Sequence, residues 1–276
     1  MFNVIFAGAG SWERDFILND LLPENCTITD NDIKPQILVV TSCFNRLQDL
    51  MHMCEKMKPT ILFHLSDENG TDPHFQNISV HANLYIRQYH HHRYLNPPNI
   101  AFMPLGYHSG MFEGSSLNLT YVSASKRNLA WSFIGDIKKS DRRTMIEKFR
   151  RSKLGEKYCL INGISPKQMA DTYLDTVFVP SGRGNVSLDC FRIYEACACG
   201  AIPVVVGNFD EIRNTFAMEE NPPWIIATNW DTAIVTCANY LKNPEALNKK
   251  QEEIVWWWRS RVKTLQSKIL QSLIPS

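Results

Sequence analysis

Short apolar runs alternate along this chain with longer stretches whose apolar residues recur every three or four positions. FNVIFA (Phe2–Ala7), QILVVT (Gln36–Thr41), TILFHL (Thr60–Leu65), ANLYIRQY (Ala82–Tyr89) and NIAFMPL (Asn99–Leu105) are runs of the first kind. Runs of this kind, apolar toward both faces, mark strands buried in a parallel sheet. Glu13–Leu22 and Asn45–Met57 carry helical spacing between them. The rhythm resumes with LAWSFI (Leu129–Ile134), KYCLI (Lys157–Ile161), VFVP (Val177–Pro180), AIPVVV (Ala201–Val206) and WIIA (Trp224–Ala227). Helices are predicted from a cap at Ser140 or Asp141, over Ser165–Thr176 with Pro166 at the first helical position, from near Leu188 or Asp189 to a stop at Gly200, and over Phe209–Phe216. Thr232–Lys242 and Pro244–Ile274 close the chain as helices. Strands alternating with helices predict an α/β protein with a parallel sheet in each half.

Between Gly110 and Asn128 the sequence turns polar, which predicts a domain boundary there. The expected organisation is an N-terminal Rossmann-like domain over 1–115, a linker over 116–128, a second such domain over 129–250, and a terminal helix over 251–276 packing back across the domains. Trp256, Trp257 and Trp258 are consecutive in that helix and cover most of its circumference, so they are expected between the two domains.

Composition narrows the class. The 276 residues are 44% hydrophobic and carry a formal net charge of +1, which excludes a nucleic-acid or membrane surface that works by bulk charge. No run reaches the ~18 apolar residues of a membrane span, and Met1–Gly10 lacks the basic and apolar regions of a signal peptide. A soluble, cytoplasmic chain is expected. The eight cysteines show no CxxC pairing and several sit inside apolar patterns, which predicts free thiols.

Chemistry concentrates in Val177–Val206, where a strand, the loop Ser181-Gly182-Arg183-Gly184, a helix and a second strand follow one another. A βαβ unit aims main-chain N–H groups and a helix N-terminus at an anion beyond the strand. Arg183 and Arg192 add positive charge, and Glu195 adds a carboxylate. Arg142 and Arg143 stand in the first turn of an earlier helix, where the dipole disfavours cations. Either they meet a phosphate, or they are solvated surface charge. In the first half, Asp67 and Glu68 follow the third strand, at the end of a parallel sheet where ligands bind. Each is a candidate general base, and a turn or helix cap is the alternative. Arg87, within a strand pattern, implies a carboxylate or phosphate partner. Tyr107 and His108 are candidates to line an acceptor cleft. His90, His91 and His92 alternate sides and suit no single metal, Asp30-Asn31-Asp32 reads as a turn, and the loop Gly8-Ala9-Gly10-Ser11 holds only part of a dinucleotide fingerprint.

PSGRGNVSLDCFRIYEACACGAIPVVV resembles the donor half of exostosin-type (GT47-like) glycosyltransferases, with a Ser-Gly-Arg-Gly loop, Arg-x-Tyr-Glu-Ala and Gly-x-Ile-Pro-Val. WSFIGDIKKSDR is similar to that family's Phe-x-Gly segment with its following arginine. HLSDE, YIRQY and MPLGY resemble elements of ribitol-xylosyltransferase-like and algal-virus members, which would put a viral enzyme in the host cytoplasm. The resemblance is strong over 129–216, weaker over 61–108, and rests on fold alone elsewhere. It implies a GT-B fold, with two Rossmann-like domains facing a central cleft, and an inverting, metal-independent transferase. A UDP-sugar (UDP-xylose as first expectation) would be co-substrate, with no further cofactor, and the acceptor would be an oligosaccharide or glycoprotein glycan. On that resemblance Arg142 and the Ser181–Gly184 loop hold the diphosphate, Glu195 takes the ribose hydroxyls, and Arg192 and Asp189 shape the sugar and phosphate contacts. The alternatives are a non-catalytic nucleotide- or carbohydrate-binding module and an NAD-dependent nucleotide-sugar enzyme.

Overall fold

The computed structural model describes residues 1–7, 12–29, 34–41, 47–70, 78–91, 98–138, 141–160, 163–216, 218 and 221–274. The chain divides into two compact units, Met1–Leu105 with Val262–Ser276, and Gly106–Arg261. Each is built on a parallel sheet with helices, the pattern that the alternating runs predict.

The first unit has six strands: β1 (Phe2–Ala7), β2 (Cys26–Ile28), β3 (Ile37–Thr41), β4 (Ile61–Leu65), β5 (Leu84–Arg87) and β6 (Ile100–Phe102). Their order is β2-β1-β3-β4-β5-β6, and all pairs are parallel. The two central strands β3 and β4 are buried throughout, because helices cover both faces of such a sheet. Leu38, Val40, Leu62 and Tyr85 pack with Cys54 of α1 (Leu47–Met57) into one apolar cluster. Glu13–Leu22 is helical as expected, but Phe16–Leu21 closes i→i+5 bonds as a π-helix. β2 lies outside every sequence expectation. It is a three-residue edge strand with two exposed residues, so it has no apolar run to announce it.

The second unit has β7 (Leu129–Ile134), β8 (Lys157–Leu160), β9 (Thr176–Pro180), β10 (Ile202–Val206) and β11 (Ile225–Ala227), in the order β11-β10-β9-β7-β8. Its helices are α2 (Arg142–Arg151), α3 (Pro166–Leu174), α4 (Phe191–Ala198), α5 (Phe209–Phe216), α6 (Trp230–Leu241) and α7 (Pro244–Leu273). α3 opens with a capping box in which Ser165 and Gln168 satisfy each other's main-chain N–H groups. Gly200 takes φ +61° just past α4, where a side chain would also strike Tyr121. α4 begins at Phe191, later than Leu188 or Asp189, because Cys190 just before it is extended, at φ −154° and ψ +149°.

Three expectations change. The division falls at Leu105/Gly106, and the polar stretch 116–128 belongs to the second unit rather than forming a free linker. There Arg127 donates to the carbonyls of Tyr173, Thr176 and Cys199, and the Trp258 indole donates to Ser116 Oγ. The terminal helix starts at Pro244, as its pattern predicts, but it divides between the units at Arg261/Val262 rather than at 250/251. The three tryptophans also part company. Trp258 is fully buried against Tyr194, Trp257 meets Trp224, and Trp256 is 71% exposed. The seven cysteines among the described residues are free thiols. No described helix is long and apolar enough to cross a membrane. The Gly8–Ser11 loop, Asp30-Asn31-Asp32, Cys43, His92 and Ser140 lie outside the described residues.

Candidate functional site

The second sheet has one place where successive connections diverge. From β7 the chain passes through α2 to β8 on one side, and from β9 it passes through α4 to β10 on the other. Ligands of open parallel sheets bind outside the carboxyl ends of the strands at such a switch point. The loops that meet there are Gly135–Asp136 after β7 and Ser181–Gly184 after β9.

Arg142 and Arg192 converge on these loops, and both are buried. Arg142 Nε donates to Arg183 O at 3.0 Å and Nη1 to Asp136 O at 3.0 Å, which ties the two loops together. Arg192 Nε and Nη2 both donate to Ile134 O, at 3.2 and 3.0 Å, and its guanidinium lies 4.3 Å from the Phe133 ring centroid. Arg192 Nη1 is buried and has no hydrogen-bond partner among the described residues. Burial, and after it the charge of Arg192, push the Arg142 pKa below the ordinary arginine value, while Cys190, Asp141 and Asp136 pull it back. Two guanidinium groups that repel each other are thus held close, with carbonyls as their hydrogen-bond acceptors.

Glycine makes the approach possible. Gly135 has φ +138°, and a methyl group there would collide with Arg192 Nη2. At Gly182 a Cβ would come within 2.7 Å of Arg142 Cγ. Asp141, an expected cap, makes no capping bond to α2. It braces the loop instead, accepting from Arg183 N at 3.2 Å and from the Trp230 indole at 3.0 Å. Arg143, beside buried Arg142, is exposed.

The loop differs from an N–H cradle in one respect. Ser181 N donates to Val204 O, Arg183 N to Asp141, and Gly184 N to Ser187 O, so these three donors are engaged within the protein. The Ser181 hydroxyl donates to Val179 O. The Arg183 side chain pairs with Glu211 at 2.5 Å. Asp189 is buried against the Tyr194 hydroxyl, and Tyr194 packs edge-on to Phe216 in the core. Glu195, three residues after Arg192 on α4, is buried, and His108 Nδ1 lies 2.5 Å from its Oε1. His108 therefore belongs beside Glu195, while Tyr107 is fully buried edge-on to Phe112 and lines no cleft.

In the first unit, Arg87 finds the carboxylate partner its sequence position implies. Its Nη2 donates to Asp67 Oδ2 at 2.5 Å, and its Nη1 donates to Tyr85 Oη at 2.6 Å and to His64 Nδ1 at 2.8 Å. Burial above all, and Arg87 after it, push the His64 pKa down to about 3, so the ring is neutral and accepts through Nδ1. Asp67 is buried in this network, while the neighbouring Glu68 is half-buried. Asp67 O accepts from Gly70 N in a turn, as the turn alternative has it. Ser66 and Tyr89, just past β4 and β5, hold left-handed φ values of +69° and +54°. Strained backbone of this kind is concentrated at functional ends of folds. Gln88, buried between these segments, accepts from Ser66 N and donates to Glu13 Oε1 at 2.9 Å. Glu13 and Glu211 escape sequence reasoning because both sit in ordinary helical patterns. The strand order points to each through the loops it flanks.

His90 packs edge-on against Phe102, and the His91 ring packs against Gly70. Among the described residues, no His, Cys, Asp and Glu cluster is grouped to hold a metal ion.

No family model matches the chain. Among curated proteins it is similar to ribitol-5-phosphate xylosyltransferase 1 of Danio rerio, 25% identical over 166 residues. That match covers 51% of this chain and only 37% of the relative's length. Among solved structures it is similar to T4 phage BGT in complex with UDP-glucose, with a TM-score of 0.55, 11% identity and 99% of each chain covered. Anabaena Alr3699/HepE in complex with UDP and glucose aligns with a TM-score of 0.53, 9% identity and 99% coverage of each. An alpha-glucosyltransferase solved with UDP-glucose and abasic DNA aligns at 0.50 with 10% identity, over 93% of this chain and 94% of that one. At these identities the likeness is one of fold. The two parallel-sheet units have the architecture of GT-B glycosyltransferases.

Proposed function

We propose that the chain is a glycosyltransferase that uses a UDP-sugar, with the donor diphosphate held in the second unit. The observation that carries this reading is the Arg142–Arg192 pair. Two buried, mutually repelling guanidinium groups stand at a topological switch point, and one N–H has no partner among the described residues. A pyrophosphate supplies the missing charge and acceptors, and charge-assisted bonds to it are among the strongest available. It also accounts for Gly135 and Gly182, which admit the arginines. The ribose hydroxyls then suit Glu195, a carboxylate acceptor on the same helix as Arg192. The Danio rerio relative and the UDP-bound structures of the same fold support UDP as the nucleotide and make xylose the first sugar to test.

In the proposed reaction an acceptor hydroxyl attacks the anomeric carbon from the face opposite the nucleotide, inverting its configuration. Asp67 takes the hydroxyl proton, with Glu68 as second candidate, and Arg87 fixes the Asp67 carboxylate in one orientation. The bond from the anomeric carbon to the phosphate oxygen breaks, and UDP leaves with its new charge on Arg142 and Arg192. This electrostatic role needs no metal and no further cofactor. A glycan is the acceptor to test first, with glucosylated and unmodified DNA as the competing class.

Binding of UDP by calorimetry, followed by a panel of UDP-sugars assayed for transfer and hydrolysis, tests the proposal. The expected result is UDP binding, turnover with one sugar, and loss of transfer with retained UDP binding in Asp67→Asn. Binding without turnover across donors and acceptors would make the chain a binding module, and no binding would remove the reading altogether.

A further inference from the structure

The segment Gly106-Tyr107-His108-Ser109-Gly110 precedes the second sheet by about twenty residues of chain, yet it delivers an imidazole to α4. Its backbone is built for that delivery. Gly106 and Gly110 both lie in the left-handed region, at φ +79° and +85°. Tyr107 is fully buried and anchored edge-on to Phe112, and Met111 N donates to His108 O at 3.2 Å to close the turn. The His108 ring packs against Phe191, the first residue of α4, with centroids 5.1 Å apart, and its Nδ1 reaches Glu195 Oε1 at 2.5 Å. His108 is 29% exposed while Glu195 is 3% exposed, so the imidazole is the outer member of the pair.

We infer that His108 is a positioning residue for ribose recognition: its Nδ1–H holds Glu195 Oε1 and turns Oε2 toward the vicinal hydroxyls of a ribonucleotide. A glutamate side chain left to itself samples several rotamers, and ordering it on binding weakens the interaction. His108 fixes that rotamer before the ligand arrives, which is preorganisation in the ordinary sense. Nδ1 is a donor in the neutral Nδ1–H tautomer and in the imidazolium form alike. The consequence is selectivity for a ribonucleoside over a 2′-deoxyribonucleoside diphosphate. This inference rests on the proposed nucleotide site and sharpens it to one sugar.

The test compares the affinities of UDP and 2′-deoxy-UDP for the full chain, because their ratio reads the ribose contact and cancels general changes in the diphosphate site. The wild-type protein is expected to prefer UDP by about tenfold, the worth of one good hydrogen bond to a charged group. Glu195→Gln and His108→Ala should each bring the ratio close to one, with melting temperatures near that of the wild type. His108→Asn, whose amide nitrogen stands where Nδ1 stood, should restore most of the preference. Should the alanine variant fail to fold, His108→Phe keeps the ring against Phe191 and removes only the donor. A wild-type ratio retained in both His108→Ala and His108→Phe overturns the inference. So does a wild-type protein that binds UDP without preferring it, and in that case the arginine site stands. Failure to bind UDP at all overturns the nucleotide reading itself, and this inference with it.

Discussion

Arg87 and Arg192 are both arginines buried at the carboxyl ends of parallel strands, one in each unit, and their surroundings differ in one decisive respect. Arg87 meets a carboxylate, a phenol and a neutral imidazole, so its charge is balanced by Asp67 inside the protein. Arg192 meets one carbonyl twice, an aromatic face, and a second arginine close enough to affect its neighbour's pKa. Burial of charge is tolerable when the partner is built in, and costly when it is not. The first arrangement holds its counter-charge within the unit. The second has no carboxylate among the described hydrogen-bond partners of Arg192, and it is the one to which the proposed donor diphosphate is assigned.

The largest effect expected from this contrast is on stability in the first unit. Arg87→Met removes the cation and leaves Asp67 buried without its partner, which should cost about 3–5 kcal/mol in chemical denaturation. Arg192→Met should do the reverse: it relieves repulsion with Arg142 while giving up the bonds to Ile134 O, so unfolding free energy should stay within about 1 kcal/mol of the wild type. UDP affinity should nonetheless fall about 100-fold, near the upper worth of a charge-assisted hydrogen bond. An Arg192→Met protein as unstable as Arg87→Met, or one that binds UDP normally, would erase the distinction. The smallest effect is on the pH dependence of the first unit. His64 has a folded pKa of about 3 against about 6.5 when unfolded. Between those values the unfolded chain binds the extra proton, so stability falls as pH drops below 6.5 and the contribution is lost by pH 3. At pH 5 the loss is about 2 kcal/mol relative to pH 7. His64→Gln, which cannot titrate, should flatten the profile over that window.

The same two regions show what the sequence makes legible. Buried strands announce themselves because both of their faces are apolar: β7 and α5 fall where their runs place them, and the Arg-bearing loop after β9 is visible as a strand, two glycines and a helix. The Arg87 partner is half legible, since a buried cation demands an anion but not a particular one. Less is legible where meaning depends on distant residues. His108 and Glu195 are 87 positions apart, and nothing local in GYHSG points at α4. The polar stretch 116–128 looks like a linker because polar residues usually mark solvent. Here Ser116 and Arg127 are spent on a buried indole and on the carbonyl ends of α3 and α4. The tryptophan triplet misleads for a related reason, since a helix shows consecutive residues to different surroundings and only Trp258 of the three is fully buried.

The last helix carries a consequence for how the chain comes off the ribosome. Arg261 ends the portion of α7 that belongs with the second unit, and the turns that follow belong with the first. In those turns Ile269 is fully buried, Leu265 and Leu273 nearly so, and Gln266 Nε2 donates to Asp20 O at 2.6 Å. The first unit is therefore the first to be synthesised and the last to be completed. Its six strands emerge early with part of their cover still untranslated, while the second unit, continuous from Gly106 to Arg261, has all of its residues in hand before them. A fragment cut after Leu105 lacks that closing segment and should expose apolar surface, whereas one that joins Val262–Ser276 to Leu105 through a flexible linker restores it.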